Sequence, residues 1–209
     1  MIAIIDYEAG NLTSVARAMS YLGYENIVTG DKEKITAAER VIFPGVGSAG
    51  SAMTSLKRLG LDNLLKDLFD AGKPIMGICL GTQIILKHSQ EHDTDCIGLV
   101  DGNVPLFRSD MADNDGSTLK IPHMGWNHVS LKKEHPVLKG LKKEDEFYFV
   151  HSYYPNPVSE DYVIGVTNYG IEFASIIGYK NLVATQFHPE KSGEAGLNIL
   201  KNFCEWNLC

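Results

Sequence analysis

One cysteine of this chain stands between two glycines in a pattern that suits a nucleophile. Residues Gly77–Gly81 have the sequence Gly-Ile-Cys-Leu-Gly, which matches the G-x-[Ser/Cys]-x-G pattern of a nucleophile elbow. In such an elbow a sharp turn from a strand into a helix lifts the central side chain, here Cys79, clear of the sheet. The apolar residues before the turn predict a buried strand, and residues 82–87 predict a helix.

The surroundings of Cys79 decide between two roles. Glycines on both sides remove the Cβ atoms that would obstruct so tight a turn, and the positive end of the following helix favours the thiolate form of the side chain. The alternative is a structural cysteine, because Cys is among the most often buried residues. The glycine spacing and the strand-turn-helix context favour the nucleophile.

A thiol nucleophile needs a base, and one histidine stands where a base and its orienting carboxylate can act together. His188 lies in the sequence Gln-Phe-His-Pro-Glu, after an apolar run that predicts a strand. Residues two apart in extended chain point to the same side, so Glu190 can sit behind His188 and fix its tautomer. Alone, such a segment is more often a turn. With the elbow it predicts a triad of Cys79, His188 and Glu190.

Two backbone segments are candidates for an oxyanion hole. The N–H of Leu80, directly after the nucleophile, is the first candidate donor. The second is Pro44–Gly47, with the sequence Pro-Gly-Val-Gly, which follows an apolar run. Two glycines there would let backbone amides turn toward a substrate oxygen. The alternative for this segment is an ordinary glycine turn.

Two segments resemble metal sites, and neither is expected to bind a metal. His88–His92 matches the H-x-x-E-H zinc pattern, but no further ligand is evident and acidic residues follow, so we predict a solvated helix end. Asp113–Gly116 resembles part of a calcium loop, but its first and last ligand positions hold Met and Pro. Two further histidines, His123 and His128, suit structural roles.

The composition favours one globular domain in a reducing compartment. The chain has 209 residues, of which 44% are hydrophobic, enough for a substantial core. The formal net charge is −7, from 19 basic and 26 acidic residues, and no basic block favours nucleic acid. No apolar run is long enough to span a membrane and the N-terminus lacks the pattern of a signal peptide. Four cysteines without a C-x-x-C pair therefore predict free thiols in the cytoplasm.

The order of the patterns predicts an α/β fold. Apolar runs at 2–5 and 40–43 alternate with helical spacing at 12–22 and 61–68, which favours a parallel sheet covered on both faces. The second part of the chain predicts shorter strands and a closing helix, at residues 126–131, 147–150, 162–166, 173–177 and 182–187, and at 193–206. No repeat or linker is evident, and the polar segment 109–120 predicts an exposed loop.

Together these segments resemble class I (triad-type) glutamine amidotransferases, and among them the glutaminase subunits of imidazole glycerol phosphate synthase. The resemblance covers essentially the whole chain. Besides the elbow and the His-Pro-Glu segment, its landmarks are Asp6–Tyr7, Gly10–Leu12, Pro44–Gly47, Pro122–Asn127 and Phe147–Tyr153. It implies a three-layer α/β/α, flavodoxin-like fold with a mixed, mostly parallel sheet, as a single glutaminase domain over residues 1–209.

The resemblance also implies the chemistry. Cys79 would attack the side-chain amide of glutamine, His188 would protonate the departing ammonia, and water would release glutamate from the thioester. The implied oxyanion-hole residues are Val46, Gly47 and Leu80, and the implied substrate-binding residues are Gly47, Gln83, Glu91, Ser152 and Tyr153. No metal or organic cofactor is implied.

A partner is implied as well. In the family a separate (β/α)8-barrel subunit forms a heterodimer with the glutaminase and receives the ammonia along a shielded path. The barrel makes imidazole glycerol phosphate and AICAR in histidine biosynthesis. It would dock over Asn11, Met124, Trp126 and Lys191.

Three positions depart from the family pattern. Glu8 stands where the family usually has Gly, Thr82 replaces a usual apolar residue, and the segment 109–120 is longer than is common. None of the three removes a catalytic group. They leave open an alternative, a paralogous glutaminase that supplies ammonia for amination of a surface-sugar precursor.

Two further alternatives have less support. A non-catalytic interaction subunit is disfavoured because Cys79, His188 and Glu190 are all present. A general cysteine hydrolase is disfavoured because Gln83 and Pro44–Gly47 fit a glutamine pocket.

Overall fold

The structure, a computed structural model, describes residues 1–8, 10, 12–112 and 116–207. The α-helices of the described residues are α1 Leu12–Tyr21, α2 Lys32–Ala37, α3 Ala49–Leu59, α4 Leu61–Asp70, α5 Leu80–Ile84 and α6 Gly193–Glu205. Short 3-10 turns occur at Pro136–Leu138, Glu160–Tyr162 and Pro189–Lys191. Within the described ranges, no helix has the length and apolar character needed to cross a membrane.

The strands belong to a central sheet and two smaller ones. They are β1 Ile2–Ile5, β2 Asn26–Thr29, β3 Arg40–Gly45, β4 Ile75–Cys79, β5 His88–Ser89, β6 Thr94–Asp95, β7 Gly102–Val104, β8 His123–His128, β9 Ser130–Leu131, β10 Glu146–His151, β11 Asn156–Pro157, β12 Val163–Asn168, β13 Glu172–Tyr179 and β14 Leu182–Thr185. β8 pairs with β10 in an antiparallel ribbon, and β11, β7, β5 and β6 form a small four-stranded sheet.

The central sheet has eight strands in the order β2-β1-β3-β4-β14-β13-β12-β9. The strands from β2 to β14 pair in parallel, and β13, β12 and β9 extend the sheet in antiparallel pairing. Parallel pairing requires crossover connections, which the helices between β1 and β4 supply. The predicted mixed, mostly parallel sheet is therefore confirmed.

Alternate residues of β1 show how the sheet divides the core into two. Ala3 and Ile5 pack in the cluster that contains the buried faces of α3 and α4. Ile2 and Ile4 pack in the other cluster, with the buried faces of α1 and α6. Because successive side chains of a strand point to opposite faces, both faces of β1 are covered by helices. The predicted three-layer α/β/α arrangement is confirmed.

The topology brings three chain segments together at one edge of the sheet. β3 and β4 are neighbours and Gly45 pairs with Cys79, while β14 pairs with β4 up to Thr185 and Ile78. The carboxyl ends of these parallel strands therefore meet, which is where open α/β sheets usually bind ligands. The chain continues from β14 into the segment that holds His188.

The helix predicted at residues 82–87 is confirmed only as far as Ile84, and the helix end predicted at residues 88–92 is wrong. The helix after the elbow ends at Ile84, and a strand followed by a turn replaces the solvated helix end predicted at His88–His92. The cause is competition for carbonyl groups. Those of Ile84, Ile85 and Leu86 accept hydrogen bonds from residues 97–100 of the following loop, at 2.8–3.1 Å, so the helix cannot continue.

Smaller differences concern strand ends. The strand predicted at 126–131 begins three residues earlier and is divided into β8 and β9 at the buried Val129, and the one predicted at 182–187 ends at Thr185. The segment Asp113–Asp115 of the calcium-like pattern lies outside the described residues.

Candidate active site

Cys79 ends β4 with φ of 55° and ψ of −110°, a conformation that residues other than glycine rarely adopt. Its two glycine neighbours in the pattern are needed because other strands lie directly against the turn. A Cβ on Gly81 would overlap the carbonyl oxygen of Phe43 in β3, and a Cβ on Gly77 would lie 3.0 Å from the Cβ of Ala184 in β14. The predicted elbow geometry is present.

His188 and Glu190 form a buried pair beside this turn. The His188 Nδ1 atom lies 2.8 Å from Glu190 Oε1, and the two side chains are 3% and 2% exposed. The His188 N–H donates to the Tyr148 carbonyl at 2.9 Å, and Ser192 Oγ donates to the His188 carbonyl at 2.6 Å, so the backbone of this segment is fixed. Among the described residues His188 Nε2 has no hydrogen-bond partner, which leaves that nitrogen open for proton transfer.

The neighbours of His188 favour its charged form. Burial alone would lower the pKa of the imidazole, but its interactions with the neighbouring Cys79 and Glu190 side chains raise the pKa to about 10. With the Nδ1 proton directed at Glu190, the Nε2 proton is the one available to a leaving group. The arrangement therefore suits a thiolate nucleophile next to a general acid.

A cavity of about 340 Å³ opens onto the sulfur atom. This volume is near the lower end of small-molecule sites. The cavity is lined by Val46, Gly47, Cys79, Leu80, Gln83, Glu91, Pro122, Val150, His151, Ser152, Tyr153 and His188. It brings together all the residues predicted for the oxyanion hole and for substrate binding, whereas Glu190 lies behind His188.

Two of the lining side chains are held by bonds within the protein. Glu91 Oε2 accepts from the Ala49 N–H at 2.6 Å, at the first residue of α3, where a carboxylate is favoured by the helix dipole. Gln83 Nε2 donates to the Tyr153 carbonyl at 2.9 Å and to Gln186 Oε1 at 3.0 Å. Both contacts fix where these side chains meet the cavity.

The positions predicted for partner docking form a partly aromatic surface. Met124 and Trp126 are 62% and 55% exposed on β8. Trp126 contacts the Tyr148 ring with centroids 6.1 Å apart, and the Lys191 ammonium lies 5.9 Å from the same ring. These side chains are therefore neighbours. Asn11, the fourth predicted position, lies outside the described residues.

The departures from the family pattern have local explanations. Glu8 has φ of 69°, a conformation that glycine adopts without strain, and its carboxylate pairs with Arg58. Thr82 is fully buried, and its hydroxyl donates to the Thr185 carbonyl at 2.6 Å. Its polar group is thus satisfied where an apolar residue is usual.

Several residues of the site were not predicted. Gln186 Nε2 lies 3.8 Å from the Cys79 sulfur, and His151 lines the cavity. The hydroxyl of Tyr7 is buried without a hydrogen-bond partner among the described residues, and burial, then the Cys79 charge, raises its pKa. All three residues lie within landmark segments of the sequence, but nothing in the sequence assigns them a contact.

Comparisons with known proteins agree with this geometry. The family model described as "Glutamine amidotransferase class-I" matches residues 3–206. A protein of Nitratidesulfovibrio vulgaris (strain DSM 19637 / Miyazaki F) named imidazole glycerol phosphate synthase subunit HisH is 53% identical over 203 residues, covering 97% of this chain and 95% of its own. A protein of the same name from Neisseria meningitidis serogroup A (strain Z2491) is 44% identical, covering 98% and 99%.

Solved structures share the fold at low sequence identity. A structure of PurLQS from Thermotoga maritima has a TM-score of 0.75 and 17% identity, covering 98% of this chain and 97% of that chain. A crystal structure titled glutamine amidotransferase has a TM-score of 0.73 and 16% identity, covering 98% and 100%.

Proposed function

Because this chain belongs to the class-I glutamine amidotransferase family, we propose that it is the glutaminase subunit of an imidazole glycerol phosphate synthase in histidine biosynthesis. The name shared by relatives at 44–53% identity supports this subunit over the sugar-amination alternative. The family match over residues 3–206 supports one glutaminase domain over 1–209. The cytoplasmic location stays a prediction.

The proposed reaction begins with the Cys79 thiolate and the His188 imidazolium. The sulfur attacks the side-chain amide carbon of glutamine, and the oxyanion that forms is stabilised by backbone N–H groups of Leu80 and of the Val46–Gly47 segment. As the tetrahedral intermediate collapses, His188 Nε2 gives its proton to the amide nitrogen, and ammonia leaves. A glutamyl thioester remains on Cys79.

Water completes the cycle. Neutral His188 takes a proton from water, and the resulting hydroxide attacks the thioester carbonyl. The second tetrahedral intermediate expels the thiolate, which regenerates the imidazolium-thiolate pair and releases glutamate. Throughout, Glu190 keeps the ring oriented and stabilises its positive charge. Gln83, Glu91, Ser152 and Tyr153 hold the substrate in the cavity.

The ammonia is used by a second protein in this proposal. Ammonia free in neutral water is protonated and a poor nucleophile, so a shielded path to the second active site preserves its reactivity. The proposed partner is a (β/α)8-barrel subunit that makes imidazole glycerol phosphate and AICAR. The exposed Met124 and Trp126, with Lys191 beside them, support docking on this side of the chain. Asn11 is a further proposed contact.

The observation that carries the proposal is the burial of His188 against Glu190, with Nε2 open and Cys79 beside it on a strained turn. The test uses the complex with the barrel subunit. Cys79→Ala should lower glutamine-dependent synthesis by about 10⁴-fold or more and leave ammonia-dependent synthesis unchanged.

The control is the wild-type chain assayed with and without its partner. We expect weak glutaminase activity alone and strong activation in the complex, because the peptide at Val46 must be oriented for the oxyanion. Equal loss of both synthetic activities in Cys79→Ala, or equal glutaminase activity with and without the partner, would contradict the proposal.

A further inference from the structure

Two histidines form a polar contact directly behind the substrate cavity. His123 in β8 and His151 in β10 are 3% and 6% exposed and face each other across the ribbon. His123 Nδ1 lies 3.0 Å from His151 Nε2, and His151 Nδ1 lies 2.8 Å from the Tyr153 carbonyl oxygen. At the other end, Asn127 Nδ2 lies 3.2 Å from His123 Nε2.

The protons in this row of hydrogen bonds, from Asn127 through the two histidines to Tyr153, can be placed in only one way when both rings are neutral. The Tyr153 carbonyl can only accept, so His151 carries its proton on Nδ1 and accepts at Nε2. His123 must then donate from Nδ1 and accept at Nε2 from the Asn127 amide. Burial lowers the pKa of His123 to about 4, and burial together with the charge of His123 lowers that of His151 to about 3, so both rings are neutral at pH 7.

Asn127, at the outer end of this row of hydrogen bonds, is itself held in place. The second amide proton of Asn127 is directed at the Asn168 carbonyl at 3.0 Å, and its Oδ1 accepts from the His128 N–H at 2.8 Å. These bonds set which end of the Asn127 amide meets His123. The tautomer of His123 is therefore determined by backbone groups outside the cavity.

At the inner end of this row of hydrogen bonds, the Tyr153 carbonyl belongs to the wall of the cavity. The Tyr153 carbonyl accepts two donors, His151 Nδ1 and Gln83 Nε2. Tyr153 and the adjacent Ser152 line the cavity beside Cys79. A carbonyl held from both sides fixes the peptide backbone that faces the substrate.

We propose that His123 is a positioning residue for glutamine hydrolysis: it fixes the tautomer of His151, and His151 in turn holds the Tyr153 carbonyl and the cavity wall beside the nucleophile. The inference rests on the proposed glutaminase activity. His123 does not line the cavity, so it acts only through His151.

A matched pair of variants separates hydrogen bonding from packing. His123→Phe keeps a ring to stack on Phe149 and Tyr169, at centroid distances of 4.8 and 4.0 Å, but has no donor for His151. His123→Asn loses the ring but places an amide nitrogen close to the former Nδ1 position. A packing role would make Asn the more damaging change, and a positioning role would make Phe the more damaging one.

Steady-state glutamine hydrolysis by the complex with the barrel subunit is the assay. We expect His123→Phe to lower kcat/KM about tenfold, mainly through a higher KM, and His123→Asn to recover at least a third of the wild-type value. Ammonia-dependent synthesis should be unchanged in both variants. A His123→Phe enzyme with wild-type kcat/KM, or one better than His123→Asn, would overturn the inference. Failure of the wild-type complex to hydrolyse glutamine would instead overturn the proposed function.

A measurement on the wild-type chain does not depend on how the variants fold. The ¹⁵N chemical shifts of the imidazole nitrogens at neutral pH report the tautomer of each ring. We expect His123 and His151 to carry their protons on Nδ1. A proton on Nε2 of His151 would remove the donor to Tyr153 and would refute the inference whether or not glutamine is hydrolysed.

Discussion

Acid should destabilise this chain well before its carboxylates titrate, because two histidines fold in the neutral form. Burial holds the pKa of His123 at about 4 and that of His151 at about 3, against 6.5 for an unperturbed histidine. As the pH falls through 6.5, these two histidines therefore bind protons in the unfolded chain but stay neutral in the folded chain. The stability contribution is complete above pH 6.5 and is lost progressively as the pH falls toward 4 and 3.

The magnitude follows from these shifts. At pH 5 nearly two more protons are bound to this pair in the unfolded state than in the folded state. Integrating the difference from pH 7 to pH 5 gives a loss of roughly 3–4 kcal/mol in the free energy of unfolding. His135, whose pKa burial also lowers, acts in the same direction. His188 acts in the opposite direction, because its raised pKa keeps it protonated in the folded state while the unfolded imidazole gains its proton only as the pH falls through 6.5. This offsets the loss between pH 7 and pH 5 by roughly 1 kcal/mol.

Urea unfolding at pH 7, 6 and 5, followed by far-UV circular dichroism, measures this loss. In His123→Phe one of the two titrating rings is gone, so the loss between pH 7 and pH 5 should shrink by about 2 kcal/mol. His92→Asn is the matched control, because His92 is exposed and its replacement should leave the loss unchanged. A wild-type loss below about 1 kcal/mol, or the same loss in His123→Phe, would refute the reasoning.

Two further predictions concern the elbow and the triad. Gly81→Ala should lower the free energy of unfolding by about 2 kcal/mol or more and abolish glutamine hydrolysis, because the new Cβ would overlap the Phe43 carbonyl. Gly23→Ala is the control, because Gly23 has φ of 82° but open space around it. It should lower the free energy of unfolding by about 1 kcal/mol and keep the activity. Equal losses of unfolding free energy for the two variants in urea titrations would contradict this. Glu190→Gln should lower the pKa of His188 and reduce glutamine hydrolysis by one to two orders of magnitude less than Cys79→Ala does, roughly as in other triads. If Glu190→Gln lowered glutamine hydrolysis as much as Cys79→Ala in steady-state assays, this prediction would be wrong, and the Glu190 charge would be as necessary as the nucleophile.

The parts of the fold that sequence reasoning predicts well are those with a strong local pattern. The apolar run Ile2–Ile5 coincides with β1, and the closing helix differs from α6 by one residue. The elbow at Cys79 is also local, because neighbouring glycines and the following helix define it within a few residues. The helix after the elbow is shorter than predicted because distant loop residues take the carbonyls of Ile84–Leu86.

The contacts that sequence reasoning could not supply are long-range ones. His123 and His151 are 28 residues apart, and their meeting depends on the register between β8 and β10. The interaction of Gln186 with the Cys79 sulfur spans 107 positions. Residue type suggested a structural role for His123, but burial and the identity of its partners decide its tautomer, and both are properties of the folded chain.

The backbone at Cys79 sets a trade-off between robustness and catalysis at a single position. A non-glycine residue held at φ of 55° costs on the order of 1–3 kcal/mol, and a glycine there would avoid most of that cost. Selection for heat resistance alone would therefore favour Cys79→Gly, which removes the nucleophilic sulfur. Thermostability engineering of this chain therefore has to exclude position 79, because the more stable variant would be inactive.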